Sequence, residues 1–220
     1  MRACTLLWRC LVRSPQMTDG YGFVLFDLGG VLVRLGGVTA LQGLAELGSE
    51  GEVWRRWLTC PWVRDFERGL CSAGEFAAGV VADWGLPVSP EAFLESFEAW
   101  PEDLFDGTTK LVGAVRQRLR VACASNSNAL HWERMTSLWQ LGTMFDATFL
   151  SHELGVIKPD ADFFEHVVSA IGEPPGRLVF LDDNEMNVAG ASAAGLTAAC
   201  VRGTDEARSA LVELGVLPPS

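Results

Sequence analysis

The sequence predicts an α/β fold, a doubly wound, Rossmann-like parallel sheet with an inserted all-helical cap domain. Three observations carry this. Five short, continuous apolar runs lie at 23–26, 121–124, 147–150, 178–181 and 197–201, as expected of strands buried on both faces. Helical stretches follow or separate the later runs, at about 108–118, 128–141, 160–171, 186–194 and 204–214. The alternation breaks between 35 and 105, where amphipathic helical patterns occur without strand-like runs.

Taken in order, residues 1–16 (MRACTLLWRCLVRSPQ) carry Arg2, Arg9 and Arg13 and no acid. Arg9 breaks the apolar stretch, so this is no secretory signal. The segment is expected to be an unstructured extension, with Met17 as the working start; an Arg-rich organelle address is the alternative. Residues 17–34 and 106–220 are expected to form the core and 35–105 the cap. The first strand, Phe23-Val24-Leu25-Phe26, stops at Asp27 and turns through Gly29-Gly30. Cap helices are predicted at Val38 to Leu47, Val53 to Thr59, Ala73 to Trp84 and Pro90 to Trp100, the last opened by Ser89 as N-cap with Pro90 in the first turn. Trp54, Trp57, Trp62, Trp84 and Trp100 fall in this region and are expected mainly to fill its core, with a place lining a substrate pocket as the alternative.

Composition narrows the function. With 220 residues, 49% hydrophobic and 20% charged, the chain can bury a core of its own. A net charge of -11 argues against nucleic acid, whose binding rests on Lys and Arg neutralising phosphates. No apolar run approaches the roughly 18 residues of a membrane span. The six cysteines, at 4, 10, 60, 71, 123 and 200, form no C-x-x-C pair, and His131, His152 and His166 are not at zinc spacing. They read as reduced, mostly buried thiols of a cytoplasmic protein.

Four polar clusters sit at or just past predicted strand ends: Asp27, Ser125-Asn126, Lys158 and Asp182-Asp183-Asn184-Glu185-Met186-Asn187. Taken singly each is ordinary, as a turn former, a helix cap, a solvated lysine and a capping acid pair. Together they supply a carboxylate nucleophile, donors for phosphoryl oxygens, a lysine to offset charge and acids to hold a divalent cation.

In order and position these motifs resemble the haloacid dehalogenase superfamily, over residues 21–202, with the helical insertion in the place of that family's cap. The D-L-G-x-V start, Arg68-Gly69 and Ser125-Asn126-Ser127-Asn128 are similar to its sugar-phosphate phosphatase branch. The resemblance implies a magnesium-dependent phosphatase of a small phosphorylated metabolite, a sugar phosphate among the candidates, working through an aspartyl-phosphate. It makes Asp27 the nucleophile and has Ser125 bind a phosphoryl oxygen. Asn126 would orient substrate, and Lys158 would neutralise nucleophile and phosphoryl charge. Magnesium would rest on Asp27, the Gly29 carbonyl and Asp183, with Asp182 and Asn187 holding its waters or Lys158.

One position departs from the family. Most of these phosphatases carry a general-acid Asp two residues after the nucleophile; here that residue is Gly29. Such acid-base help is worth roughly 10²- to 10⁴-fold, so the gap favours acidic leaving groups such as sugar 1-phosphates, unless His131 or a cap side chain supplies the proton. Two rival readings are a 2-haloacid dehalogenase, against which the Asp182-Asp183 pair argues, and a catalytically weak binding protein.

Overall fold

The computed structural model of the chain describes residues 20–37, 41–42 and 49–219, so the 1–16 extension, Met17 and most of the expected 38–47 helix lie outside it. Strands β1 (Phe23–Phe26), β4 (Arg120–Ser125), β5 (Ala147–Leu150), β6 (Leu178–Asp182) and β7 (Thr197–Cys200) form one sheet, in the order β5-β4-β1-β6-β7. Every pairing in it is parallel. Because β1 lies between β4 and β6, the carboxyl ends of all three open on the same edge. Chain order runs outward from β1 in both directions, and a crevice forms at that switch point.

Period-2 alternation sends side chains to two cores. Val24, Phe26, Val121, Cys123, Val179 and Leu181 pack on one face with helices α5 (Thr108–Arg116) and α10 (Gly203–Glu213). Phe23, Leu25, Ala122, Ala124, Leu178 and Phe180 pack on the other with α8 (Ala161–Ile171) and α9 (Glu185–Ala193). Burial on both faces explains why these runs are continuous rather than alternating. Each large apolar side chain so buried contributes on the order of 2 kcal/mol.

The cap comprises α1 (Glu50–Thr59), α2 (Pro61–Glu67), α3 (Ala73–Trp84) and α4 (Pro90–Glu98). Its core is aromatic: Trp57, Phe66, Phe76, Phe93, Phe97 and Trp100 pack together, with Phe66 and Phe76 stacked at 4.4 Å between centroids. The tryptophans divide: Trp57, Trp84 and Trp100 are core, Trp54 is partly buried, and Trp62 is exposed.

Two features depart from the sequence reading. Pro101–Leu104 is a strand, β3, paired antiparallel with β2 (Val33–Leu35) as a ribbon at the base of the cap. Its sequence, PEDL, exposes its acids and offers no apolar run, so periodicity could not reveal it. Helix α2 was not expected either; it is one proline-opened stretch of seven residues burying only Val63 and Phe66. Among the described residues the four cysteines are free, with Cys60 and Cys123 buried, Cys71 half-buried and Cys200 exposed on the edge strand β7; Cys4 and Cys10 lie outside the described residues.

Candidate active site

Four segments meet at the carboxyl edge of the sheet. Asp27 leaves β1 with its N–H donating to the Leu181 carbonyl at 2.8 Å, so β1 and β6 remain in register up to the carboxylate. Ser125 ends β4 on one side and Asp182 ends β6 on the other. Lys158 arrives from the loop between α7 (Ser151–Leu154) and α8, which turns at the left-handed Gly155 and carries a cis Lys158–Pro159 bond.

Lys158 is 2% exposed, the opposite of a solvated lysine. Its Nζ donates to the Ala124 carbonyl at 2.9 Å and to Asp182 Oδ2 at 2.6 Å. Asp27 Oδ1 lies 2.8 Å away as an ion pair, so the ammonium sits between a carbonyl and two carboxylates. Burial alone would lower its pKa; Asp182 and Asp27 reverse the sign and hold it above the ordinary lysine range.

Asp182 is wholly buried. Besides Lys158, it accepts from the Asn184 N–H at 2.8 Å and from Asn187 Nδ2 at 3.1 Å on both oxygens. Of the pair that the sequence left between the metal's waters and Lys158, Asp182 binds Lys158 directly, and Asn187 reaches the lysine only through Asp182. Asn126 also differs from expectation. Its amide donates to the Lys158 carbonyl at 3.0 Å and accepts the Lys158 N–H at 2.8 Å, so the side chain fixes the lysine loop rather than facing outward to a substrate.

Two carboxylates remain free to do chemistry. Asp27 is raised to about 6, first by burial and then by Asp182, against the lowering effect of Lys158 and the neighbouring Ser125. Asp183 is raised to about 7 by burial, Asp27 and Asp182. Oxygens of Asp27, Asp182 and Asp183 lie within 4.8 Å of one another, and two of these anions repel with too little opposite charge to offset them. A dication between Asp27 and Asp183 would relieve that repulsion, so the donor set fits a hard, oxygen-preferring ion.

The turn after Asp27 brings the backbone close to this pair. Gly30 has φ +71°, and a Cβ there would run into the Asp183 carboxylate, so only glycine satisfies both constraints. The place of a Gly29 Cβ is filled by Leu35, whose Cδ1 lies 2.6 Å from it.

Sequence reasoning missed Arg64 and Asp160, and gave Arg68 only as part of the Arg68-Gly69 stretch. Arg64 and Arg68, on one face of α2, both pair with Asp160 at 3.0 and 2.8 Å, tying the cap to the segment two residues past Lys158. Their only sequence signal was Arg68-Gly69; a Cβ on Gly69 would sit 2.6 Å from the His152 carbonyl, so the chain crosses the core closely there. His131 is otherwise occupied. Its ring stacks on Phe97 at 4.2 Å, its Nε2 lies 2.7 Å from the Phe97 carbonyl, and burial pushes its pKa down to about 4.

Comparison with known proteins agrees with this architecture. The family model for haloacid dehalogenase-like hydrolases matches residues 22–195. The chain is 28% identical over 186 residues to the sesquiterpene phosphatase astK of Aspergillus oryzae, covering 82% of this chain and 89% of that protein. It is 23% identical to the D-ribitol-5-phosphate phosphatase of Bacteroides thetaiotaomicron, over 75% of this chain and 84% of that one. A haloacid dehalogenase-family enzyme from Bacteroides thetaiotaomicron, solved with magnesium and inorganic phosphate, superposes with TM-score 0.68 at 24% identity, covering 83% of this chain and 95% of that one.

Proposed function

The chain belongs to the haloacid dehalogenase-like hydrolases, and from that premise we propose that it is a magnesium-dependent phosphatase of a small phosphorylated metabolite, a sugar phosphate among the candidates, acting through an aspartyl-phosphate. The observation that carries this reading is the division of labour among three aspartates. Asp182 is consumed in fixing Lys158, while Asp27 and Asp183 keep free oxygens on the open edge.

In this mechanism Asp27 attacks phosphorus. Lys158, immobilised by Ala124 and Asp182, lowers the repulsion between the Asp27 anion and the incoming phosphoryl group. The Ser125 hydroxyl, buried beside Asp27, donates to a phosphoryl oxygen. Asp27, Asp183 and the Gly29 carbonyl would hold magnesium, which supplies charge neutralisation between nucleophile and phosphate. Asn126, Asp182 and Asn187 are positioning residues that act through Lys158. The helical segment between β2 and β3 selects the substrate by what it presents over this edge. Sesquiterpene and ribitol phosphatases among the relatives support the monoester class.

The test is phosphate release from a panel of phosphorylated metabolites, with magnesium and with excess chelator, alongside chloride release from 2-haloacids. Magnesium-dependent phosphate release is expected. Chelator-resistant chloride release would replace this reading with the dehalogenase, and inertness in both arms would leave a binding protein.

A further inference from the structure

We propose that Glu67, on the cap, is the proton donor to the leaving group in this chain, taking the place of the acid that Gly29 lacks. The inference rests on the phosphatase reading and adds a catalytic residue to it.

The argument begins with helix geometry. Residues three and four apart share a helix face, so Glu67 and Arg68, the residue that caps the end of α2, lie together with Arg64. The two arginines identify which face this is: both reach Asp160. Glu67, half-buried, therefore lies beside them at the end of α2 that is tied to the loop delivering Lys158. Its electrostatic neighbours are consistent with that placement. They are Lys158 and Arg64, which favour its anion, and Asp27, which opposes it. Arg68 and Asp160 complete the charged surroundings from the helix and the loop, and burial lowers the pKa of His152, whose carbonyl lies beneath Gly69.

Burial outweighs the two cations and lifts the Glu67 carboxyl to about 7, which leaves a protonated fraction at neutral pH. Other candidates are poorer. Gly29 has no side chain, Leu35 fills the space beside it, and His131 has its Nε2 against a carbonyl.

The steps balance. An Asp27 oxygen bonds to phosphorus as the ester P–O bond breaks, and the departing oxygen takes the Glu67 proton to leave as a neutral alcohol. The Glu67 carboxylate then takes a proton from the water that attacks the phosphorus of the aspartyl-phosphate. Inorganic phosphate leaves, and Asp27 and protonated Glu67 are restored.

The experiment compares wild type, Glu67→Gln and Glu67→Asp on two esters, 4-nitrophenyl phosphate and glycerol 1-phosphate. The parameter is kcat/KM, which reports steps only through P–O cleavage. Nitrophenolate needs no proton to leave, whereas the glycerol alkoxide does. Glu67→Gln is expected to lose roughly 10²- to 10⁴-fold on glycerol 1-phosphate and less than about tenfold on 4-nitrophenyl phosphate. It should also show a burst of nitrophenolate, because the water step lacks its base. Glu67→Asp should recover part of the loss on the alkyl ester. Retained 4-nitrophenyl phosphate activity shows that the variant folds. Equal losses on both esters, or none on either, with an active wild type, would overturn the assignment of Glu67 alone. A wild type inert on both esters with magnesium would overturn the phosphatase reading and this proposal with it.

Discussion

Replacing Asp183 with Asn should stabilise the metal-free protein while removing its response to magnesium. Asp183 is raised from 3.8 to about 7 by burial and by Asp27 and Asp182. A carboxyl raised in the folded state binds more protons there than in the unfolded chain, so folding stability falls as pH rises from about 4 to about 7 and stays low above that. One pKa unit is about 1.4 kcal/mol, which gives roughly 4 kcal/mol at full burial and about 2–3 kcal/mol once partial exposure is allowed for. Asn keeps the shape and removes the charge. At 2–4 °C per kcal/mol for a chain of this size, Asp183→Asn should raise Tm by about 4–12 °C in chelator at pH 8 and by little at pH 4. Magnesium binds only the folded site, so it should raise the wild-type Tm at pH 8 by mass action and leave the variant nearly unmoved. The assay is thermal unfolding followed by circular dichroism across pH, with chelator or magnesium. A Tm for Asp183→Asn at or below wild type in chelator at pH 8 would refute the electrostatic argument; an equal magnesium response in both would refute the assignment of Asp183 as a ligand.

Three further outcomes are expected. Asp27→Asn should abolish phosphate release while preserving the far-ultraviolet spectrum, because an amide is a poor nucleophile of nearly the same shape; near wild-type turnover would exclude a covalent step on Asp27. Lys158→Met should cost about 3–5 kcal/mol in denaturant unfolding at pH 8, since it leaves the Asp27 and Asp182 charges buried without their shared cation. Gly30→Ala combines a left-handed backbone, worth about 1–2 kcal/mol, with a methyl group against Asp183, so activity should fall further than stability; a fully active variant would show that the turn is not constrained by the site.

The core of this protein was legible in its sequence because strands buried on both faces announce themselves as continuous apolar runs. The runs at 23–26 and 147–150 coincide with β1 and β5. Asp27, Ser125 and Asp182 were legible for the same reason, each standing where such a run stops. The sheet order could not be read from the runs. It alone puts β1 between β4 and β6, and so gathers side chains 155 positions apart in the chain, from Asp27 to Asp182, around one lysine. Their tasks also waited for geometry. Adjacent acids look alike in sequence, yet Asp182 is saturated with donors and Asp183 is short of them. Asn126 reads as a substrate contact until both ends of its amide are seen on the Lys158 backbone. The cap was recognisable as helical but not as part of the site, because nothing local to α2 says what it covers. Glu67 is an unremarkable helix-terminal glutamate until two arginines one turn apart pair with Asp160 and hold the end of its helix against the loop that carries Lys158. Local propensity and periodicity decide which elements form; long-range pairing and burial decide which charges must share a space, and the chemistry depends on that sharing.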